Sequence, residues 1–424
     1  DPRAAVDLRR LLLEVEQDPK VLPALLAALA AAETEHLSEA VEPLLEHEDD
    51  GVRAAAMVCL LRTGESSGAA MAEQQVGSLE RSADPELRAR AAGVLGDTGL
   101  ARFAPRVQRL LTDPALPVRL ASMEAAGKLA AAGPWPAVIE GLRERDLRPA
   151  AMRALQSGGE SALDAMEASL REAPVKHRVS LLKVCGRMDS RRGEELLLQN
   201  LLQDDRRTMQ AALSALRLRG YRARGSEARE HLTPLLAEET RRVILLTAAR
   251  VDMEGVVQAD LLRRALDLAL SRSQENSITV LAMQHECLDM EQVLSSWQHG
   301  TRAMRAMLLE LMESSVPRRV LSPVLPLLED LTSPERLDRL EQCQQAELLG
   351  PGGRLAELLD RAGPWRNDPW LQGCAIAAAL HLPLPRVEDL LADLADSAEP
   401  RLADMIHQSR QDPSALDPGA APFF

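Results

Sequence analysis

Residues 84–129 read DPELRARAAGVLGDTGLARFAPRVQRLLTDPALPVRLASMEAAGKL, one full unit of a repeat and the start of the next. Asp84-Pro85 predicts a helix start, because the aspartate can cap free amides and proline is tolerated at the first helical position. Leu87, Ala91, Val94 and Leu95 recur at helical spacing and mark the face that must be buried. Gly96 and Gly99 read as the close of that helix. A second helix follows from about Ala101 to Leu111, and Asp113-Pro114 starts the cycle again.

The same phrase stands upstream in EDDGVRAAAMVCLLRTG (48–64). There Asp49 or Asp50 can cap, Val52, Ala55, Ala56, Val58, Cys59 and Leu60 supply the buried side, and Gly64 suits a left-handed stop. An arginine recurs early in each such helix: Arg53, Arg88, Arg119, Arg148, Arg178, Arg207 and Arg242, separated by 35, 31, 29, 30, 29 and 35 residues. Two short helices and two turns fill that interval. The copies degrade downstream, with helices expected at about 256–272 and 276–284, then pairs near 290–299 and 301–314, and 317–330 and 334–349. LGPGGR (349–354) reads as a break, and Asp368-Pro369 as a restored cap and first helical residue. A last pair is expected at about 385–396 and 399–410, followed by a tail or linker over 411–424.

The expected fold class is therefore all-α, an α–α superhelix of about twelve or thirteen helix pairs running continuously over 1–410. Its best repeats lie in 48–250, degenerate ones in 256–349, and the pattern is restored in 354–410. Composition agrees. Three Phe, four Trp and one Tyr in 424 residues are too few strand formers for a sheet protein, whereas Leu and Ala suit closely packed helices. Helices this short are marginal alone, so their stability must come from stacking.

A net charge of −14 opposes general nucleic-acid binding, which needs a basic surface. Cys59, Cys185, Cys287, Cys343 and Cys374 sit among apolar residues without paired spacing, the pattern of reduced, buried thiols in the cytoplasm. The longest uncharged apolar run, Val21 to Ala32, is far below the ~20 residues a membrane span needs. No signal peptide is evident, and a start at Asp1 without an initiator Met reads as a piece of a longer chain.

No reaction chemistry stands out. Gly350, Gly352 and Gly353 lack the Lys-Ser/Thr of a phosphate loop, and no G-x-S-x-G occurs. No zinc-ligand spacing is present; in His285-Glu286-Cys287 three adjacent side chains point around a helix and cannot meet one metal. No cofactor site is expected. One charge feature departs from the rest: Arg206 to Arg250 holds ten arginines against four acids, densest in RLRGYRARG (217–225). Arg217, Arg219, Arg222 and Arg224 are candidate contacts for an anionic surface, either an acidic protein face or lipid headgroups; the plainer alternative is a solvated turn.

The Asp…Val-Arg-x-Ala-Ala phrase in helix pairs of about 30–35 residues resembles HEAT and HEAT-like repeats over nearly the whole chain. The resemblance implies a polar ladder between repeats, for which Asp50/Arg53, Asp84/Arg88 and Asp113/Arg119 match best, while the 276–345 copies depart from the pattern. More narrowly, RAMLLELMESSVPRRVLSPVLPLLED (305–330) and NDPWLQGCAIAAALHLPLPRVEDLLADLAD (367–396) resemble the HEAT-like region of large bacterial membrane proteins. In those proteins the solenoid follows a nucleotide-transporter-like domain and often precedes a cyclic-nucleotide-binding domain. This implies a non-enzymatic scaffold, docking a protein partner or other domains of its own chain at the cytoplasmic side of the inner membrane. The alternative is a HEAT-like enzyme. Di-iron hydroxylases of that fold use several His-Glu pairs, and here only His47-Glu48 and His285-Glu286 occur. DNA glycosylases need a basic, aromatic groove, which charge and composition oppose. Chromophore lyases stay open on fold alone.

Overall fold

The computed structural model describes residues 20–31, 38–63, 67–203, 205–223, 227–285, 288–341, 347–360 and 362–382. Contacts divide the chain into two compact units, residues 1–197 and 198–424. Among the described residues every regular element is a helix and none is a strand, so the chain has an all-α, helical-repeat fold. Gly64, the pair expected over 385–410 and the tail at 411–424 lie outside the described residues.

The first unit contains α1 (Leu22–Ala31), α2 (Ser38–Val41), α3 (Asp50–Thr63), α4 (Ser67–Glu80), α5 (Pro85–Asp97) and α6 (Ala104–Leu110). It continues through α7 (Leu116–Lys128), α8 (Trp135–Glu140), α9 (Arg148–Gly158), α10 (Glu160–Glu172) and α11 (Val175–Cys185); α12 (Arg191–Gln199) runs across the division. Helices α3, α5, α7 and α9 pack each on the next, with the intervening helices laid against them. The cap of α5 forms as the Asp-Pro pattern implies, Asp84 accepting from the Glu86 amide at 2.9 Å. The second start is displaced: the cap residue of α7 is Ala115, without a side-chain cap, and Asp113 accepts from the Ala115 amide at 2.9 Å in the turn ahead of the helix.

The periodic arginine has a definite task. The loop before each inner helix carries carbonyls that no helix satisfies. Arg53 donates to the carbonyls of His47 (2.5 Å) and Glu48 (2.9 Å), and Arg88 to those of Ser82 (2.9 Å) and Ala83 (3.1 Å). Arg148 reaches Leu142 and Arg178 reaches Ala173, each at 2.9 Å. In these four repeats the arginine thus ties the preceding loop to the inner helix, whereas Arg119 pairs with Glu144.

Glycine sets how closely the inner helices approach. Gly96 does not end its helix, as the sequence suggested: α5 continues to Asp97, and the left-handed residue is Gly99, at φ +66°. A Cβ at Gly96 would lie 2.5 Å from the Cα of Ala125 on α7. One repeat on, a Cβ at Gly127 would lie 3.0 Å from the Cα of Ala154 on α9. The two glycines let consecutive helices meet backbone to backbone, which maximises dispersion contact in a chain with few large side chains.

The second unit comprises α13 (Arg206–Leu218), α14 (Glu227–Asp252), α15 (Asp260–Gln284), α16 (Met290–His299) and α17 (Arg302–Ser315). After these come α18 (Arg318–Leu321), α19 (Leu325–Leu328), α20 (Ser333–Glu341), α21 (Gly350–Leu359) and α22 (Pro369–Ala379). Two expectations are corrected here. The helices expected at 256–272 and 276–284 are one helix, α15. Its central hydroxyls bond back along it, Ser277 to the Ser273 carbonyl and Thr279 to that of Glu275, both at 2.8 Å, so no polar break opens. Nor is LGPGGR a break. Gly350, at φ +65°, opens α21, and the buried Asp252 carboxylate accepts from the amides of Leu349 (3.2 Å) and Gly350 (2.8 Å) and from Arg354 Nε (2.8 Å).

Helices far apart in sequence meet in this unit. Helix α14 packs on α15, α20 and α21, and α15 on α16 and α22. Arg242 bonds Asp368 across 126 residues, its guanidinium 5.4 Å from the Trp365 ring centroid. Residues 198–382 therefore do not follow the nearest-neighbour stacking expected of a simple repeat array.

The Gly96–Ala125 approach gives a test with opposite signs at two neighbouring glycines. Gly93, also inside α5, has open space where a side-chain methyl would stand, with nothing within 4 Å, so Gly93→Ala should stabilise by about 1 kcal/mol through helix propensity. Gly96→Ala should instead destabilise by about 1–3 kcal/mol through overpacking. Urea unfolding of both variants checks the pair.

Candidate functional site

Between α3, α4 and α5 the first unit opens a groove of about 480 Å³. Leu45, Met57, Met71, Leu79 and Leu87 give it apolar surface, and Gln74, Gln75 and Ser78 of α4 give one polar wall. The charged residues lining it are both arginines, Arg53 and Arg90. Asp50, in the first turn of α3, lies between them and bonds both, with Arg90 at 2.6 Å. Arg90 comes from the following repeat, so this contact also joins two repeats. The groove is not among the sites that the sequence pattern points to. The available signal was the polar pair Gln74-Gln75, but nothing in the pattern tells which faces of three helices converge.

Of the residues expected to form a ladder, one Asp–Arg pair joins two repeats, in a register other than the expected one. Arg88 pairs with Asp113 of the next repeat, Nε to Oδ2 at 2.8 Å and Nη2 to Oδ1 at 2.9 Å. Asp84 instead caps its own helix. Arg119 likewise reaches forward, to Glu144 at 3.0 Å, while Asp50 and Arg53 pair within one repeat. Asp113 thus accepts from the Ala115 amide ahead of α7 and from Arg88 at once. Its hydrogen bonds from Arg88 hold its carboxyl below the usual carboxylate range and raise the Arg88 pKa, against the opposing effect of burial.

The arginine-rich stretch is mostly committed to its own unit. Arg217 is exposed on the last turn of α13, Arg219 is half-buried, and Arg224 lies outside the described residues. Arg222 turns inward and donates to the carbonyls of Ala282 and Leu288, the latter at 2.7 Å, closing the end of α15. Arg206 holds the buried Glu239 at 2.6 Å, Arg241 holds Glu238 at 2.8 Å, and Arg250 holds Asp267 at 2.9 Å. Burial and then the charge of Arg206 pull the Arg242 pKa down, and Asp368 opposes them. Arg217 also lines a smaller cleft of about 120 Å³ with Gln210, Glu275, Asn276 and Gln298.

Cys59, Cys185 and Cys374 are free and buried; burial pushes the Cys59 thiol up to about 11 and that of Cys374 up to about 12, which leaves both unreactive near neutrality. Cys287, Glu286 and Cys343 lie outside the described residues. Among the described residues no three His, Cys, Asp or Glu side chains gather as metal ligands, and no helix is long and apolar enough to cross a membrane. His177 on α11 is 4% exposed, and neither ring nitrogen has a hydrogen-bond partner among the described residues. Burial and then nearby Arg143 lower its pKa, with Glu140 acting the other way.

No family model matches this chain, and no curated protein matches it. Among solved structures, an engineered protein determined by the Northeast Structural Genomics Consortium is similar over 96% of this chain and 99% of that one, at 15% identity. Its TM-score of 0.23 bears on neither fold nor function.

Two measurements test these assignments. Arg222→Gln should cost about 1.5–3 kcal/mol, because it strips charged donors from buried carbonyls, and hydrogen exchange should rise at the end of α15; Arg217→Gln should leave both unchanged. For His177, the folded pKa lies below the ordinary 6.5, so below that pH the unfolded chain binds a proton that the folded one resists. Its contribution is complete above about pH 6.5 and declines as pH falls towards the lowered value, by at most about 1.4 kcal/mol per pH unit. His177→Gln should flatten that part of the wild-type stability profile in urea titrations.

Proposed function

We propose that this chain is a non-enzymatic interaction scaffold, the docking or regulatory region of a larger bacterial protein. The observation that carries this reading is the open groove between consecutive repeats of the first unit, about 480 Å³ in volume and mixed in lining. Grooves of that size accommodate short peptide segments or small ligands. Its aliphatic, thioether, amide, hydroxyl and guanidinium groups bind well. They include none of the His, Glu, Asp, Lys, Cys or Tyr side chains that commonly move protons in catalysis. Methionine at two lining positions suits an adaptable protein contact, since its unbranched thioether repacks around different partners.

The placement of the scaffold beside a transporter-like membrane domain, on the cytoplasmic side, rests on the phrases at 305–330 and 367–396. In that setting exposed Arg217 is the member of the arginine-rich stretch best placed to meet an anionic headgroup, since Arg222 is occupied with carbonyls.

Selection of a displayed random-peptide library on the purified 424-residue protein tests the scaffold role. Enriched peptides should lose about tenfold or more in affinity for Met71→Glu, which places a charge in the groove from an exposed position and leaves the helical circular dichroism intact. Peptides that bind the variant as well as the wild type, or no enrichment at all, would exclude the groove as a docking site.

A further inference from the structure

We infer that the groove between α3, α4 and α5 recognises the carboxyl terminus of a peptide whose last residue is apolar. This inference rests on the scaffold reading and names the chemistry of its ligand. Three observations converge on it.

The first is charge. Arg53 and Arg90 flank a single carboxylate, that of Asp50, and both line the groove, whereas Asp50 does not. Two guanidiniums at the groove thus share one paired carboxylate. The two guanidiniums are not equally available. Arg53 bonds Asp50 and also the carbonyls of His47 and Glu48. Arg90 bonds Asp50 alone among the described residues, through Nη2, and its side chain is 30% exposed. Its remaining donors keep the planar geometry that receives a carboxylate through two hydrogen bonds.

The second is the apolar surface in the same cavity. Met57 is buried, and Leu45, Met71, Leu79 and Leu87 complete a surface for an aliphatic side chain. A chain-terminal apolar residue carries its side chain and its carboxylate on one Cα, so one residue fills both requirements. An internal acidic residue would need a separate neighbour to supply the apolar part.

The third is the polar wall. Gln74 is exposed on α4, and among the described residues Gln75 is engaged only by a long 3.5 Å contact to the Leu45 carbonyl. Side-chain amides can both donate to and accept from the backbone of the residues preceding a terminus. A fatty acid or simple carboxylate has no group for them to meet. This favours a peptide as the occupant, a mode in which the terminal carboxylate supplies orientation and the side chain supplies affinity.

Fluorescence polarisation with the 424-residue protein tests this, using fluorescein-labelled Gly-Ser-Gly-Ala-Leu with a free carboxyl terminus and the same peptide as its carboxyl-terminal amide. The acid should bind about tenfold or more tightly than the amide, and added salt should narrow the difference. Arg90→Gln should bring the acid down to the affinity of the amide, while Met71→Glu should weaken both. Urea unfolding and circular dichroism of each variant confirm folding, and Arg90→Lys should recover part of the preference. Equal binding of acid and amide by the wild type, with both lost in Met71→Glu, would overturn the terminal-carboxylate assignment and leave the scaffold reading standing. An unchanged preference in a folded Arg90→Gln, or binding of neither peptide, would also overturn it.

Discussion

Every short helix ends in carbonyl groups that its own hydrogen-bond ladder does not satisfy, and a fold built from many short helices meets this constraint at every turn. Here backbone amides of the following turn meet part of it, and arginine repeatedly meets the rest. In the first unit Arg53, Arg88, Arg148 and Arg178 donate to carbonyls five or six residues before them, in the loop that joins two helices of a pair. In the second unit Arg222 and Arg336 do the same for the ends of other helices, and Arg354 for the loop before its own helix. Arginine suits the position because its five donors in a rigid fork can serve two carbonyls and a carboxylate together. Arg88 does so, holding Ser82, Ala83 and Asp113 at once.

Part of the arginine-rich stretch is likewise used inside the fold. In this part of the second unit Arg206, Arg222 and Arg242 each close a contact with a group distant in sequence. Burying Arg242 and Arg354 is costly unless their partners are well placed, and here each meets a carboxylate, Asp368 and Asp252. Such pairs tie segments that the repeat pattern alone would leave apart. Removing one partner would strand a buried charge, so these pairs are more sensitive to substitution than the exposed pairs, which contribute ~0–1 kcal/mol.

The groove of the first unit arises from the same construction. Arg53 is there because its repeat needs a donor to the preceding loop, and Arg90 reaches Asp50 from the next repeat. Stacking two repeats therefore places two guanidiniums beside an apolar recess. A binding surface of this kind needs no departure from the structural pattern, only a repeat whose neighbouring side chains, Met57 and Met71 among them, leave space.

Much of the fold was legible in order along the chain. Asp84-Pro85 and Asp368-Pro369 mark helix starts that the structure contains, and the arginine interval marks the helix pairs of the first unit, because caps and turns depend on residues a few positions apart. Gly96 escapes the same local rule. Its role depends on Ala125, a residue of the next helix, and a glycine that ends a helix looks the same in sequence as one that admits a neighbour. The groove and the partners of Arg222, Arg242 and Asp252 were not legible either, since they join residues 60 to 126 positions apart or faces of several helices at once. Sequence by itself determined that this protein is a succession of capped, amphipathic helices, since those signals are local. Tertiary structure decided which repeat is read against which, where the second unit folds back, and which arginines remain free to meet a partner, because burial and pairing depend on approaches across distances that no periodicity encodes.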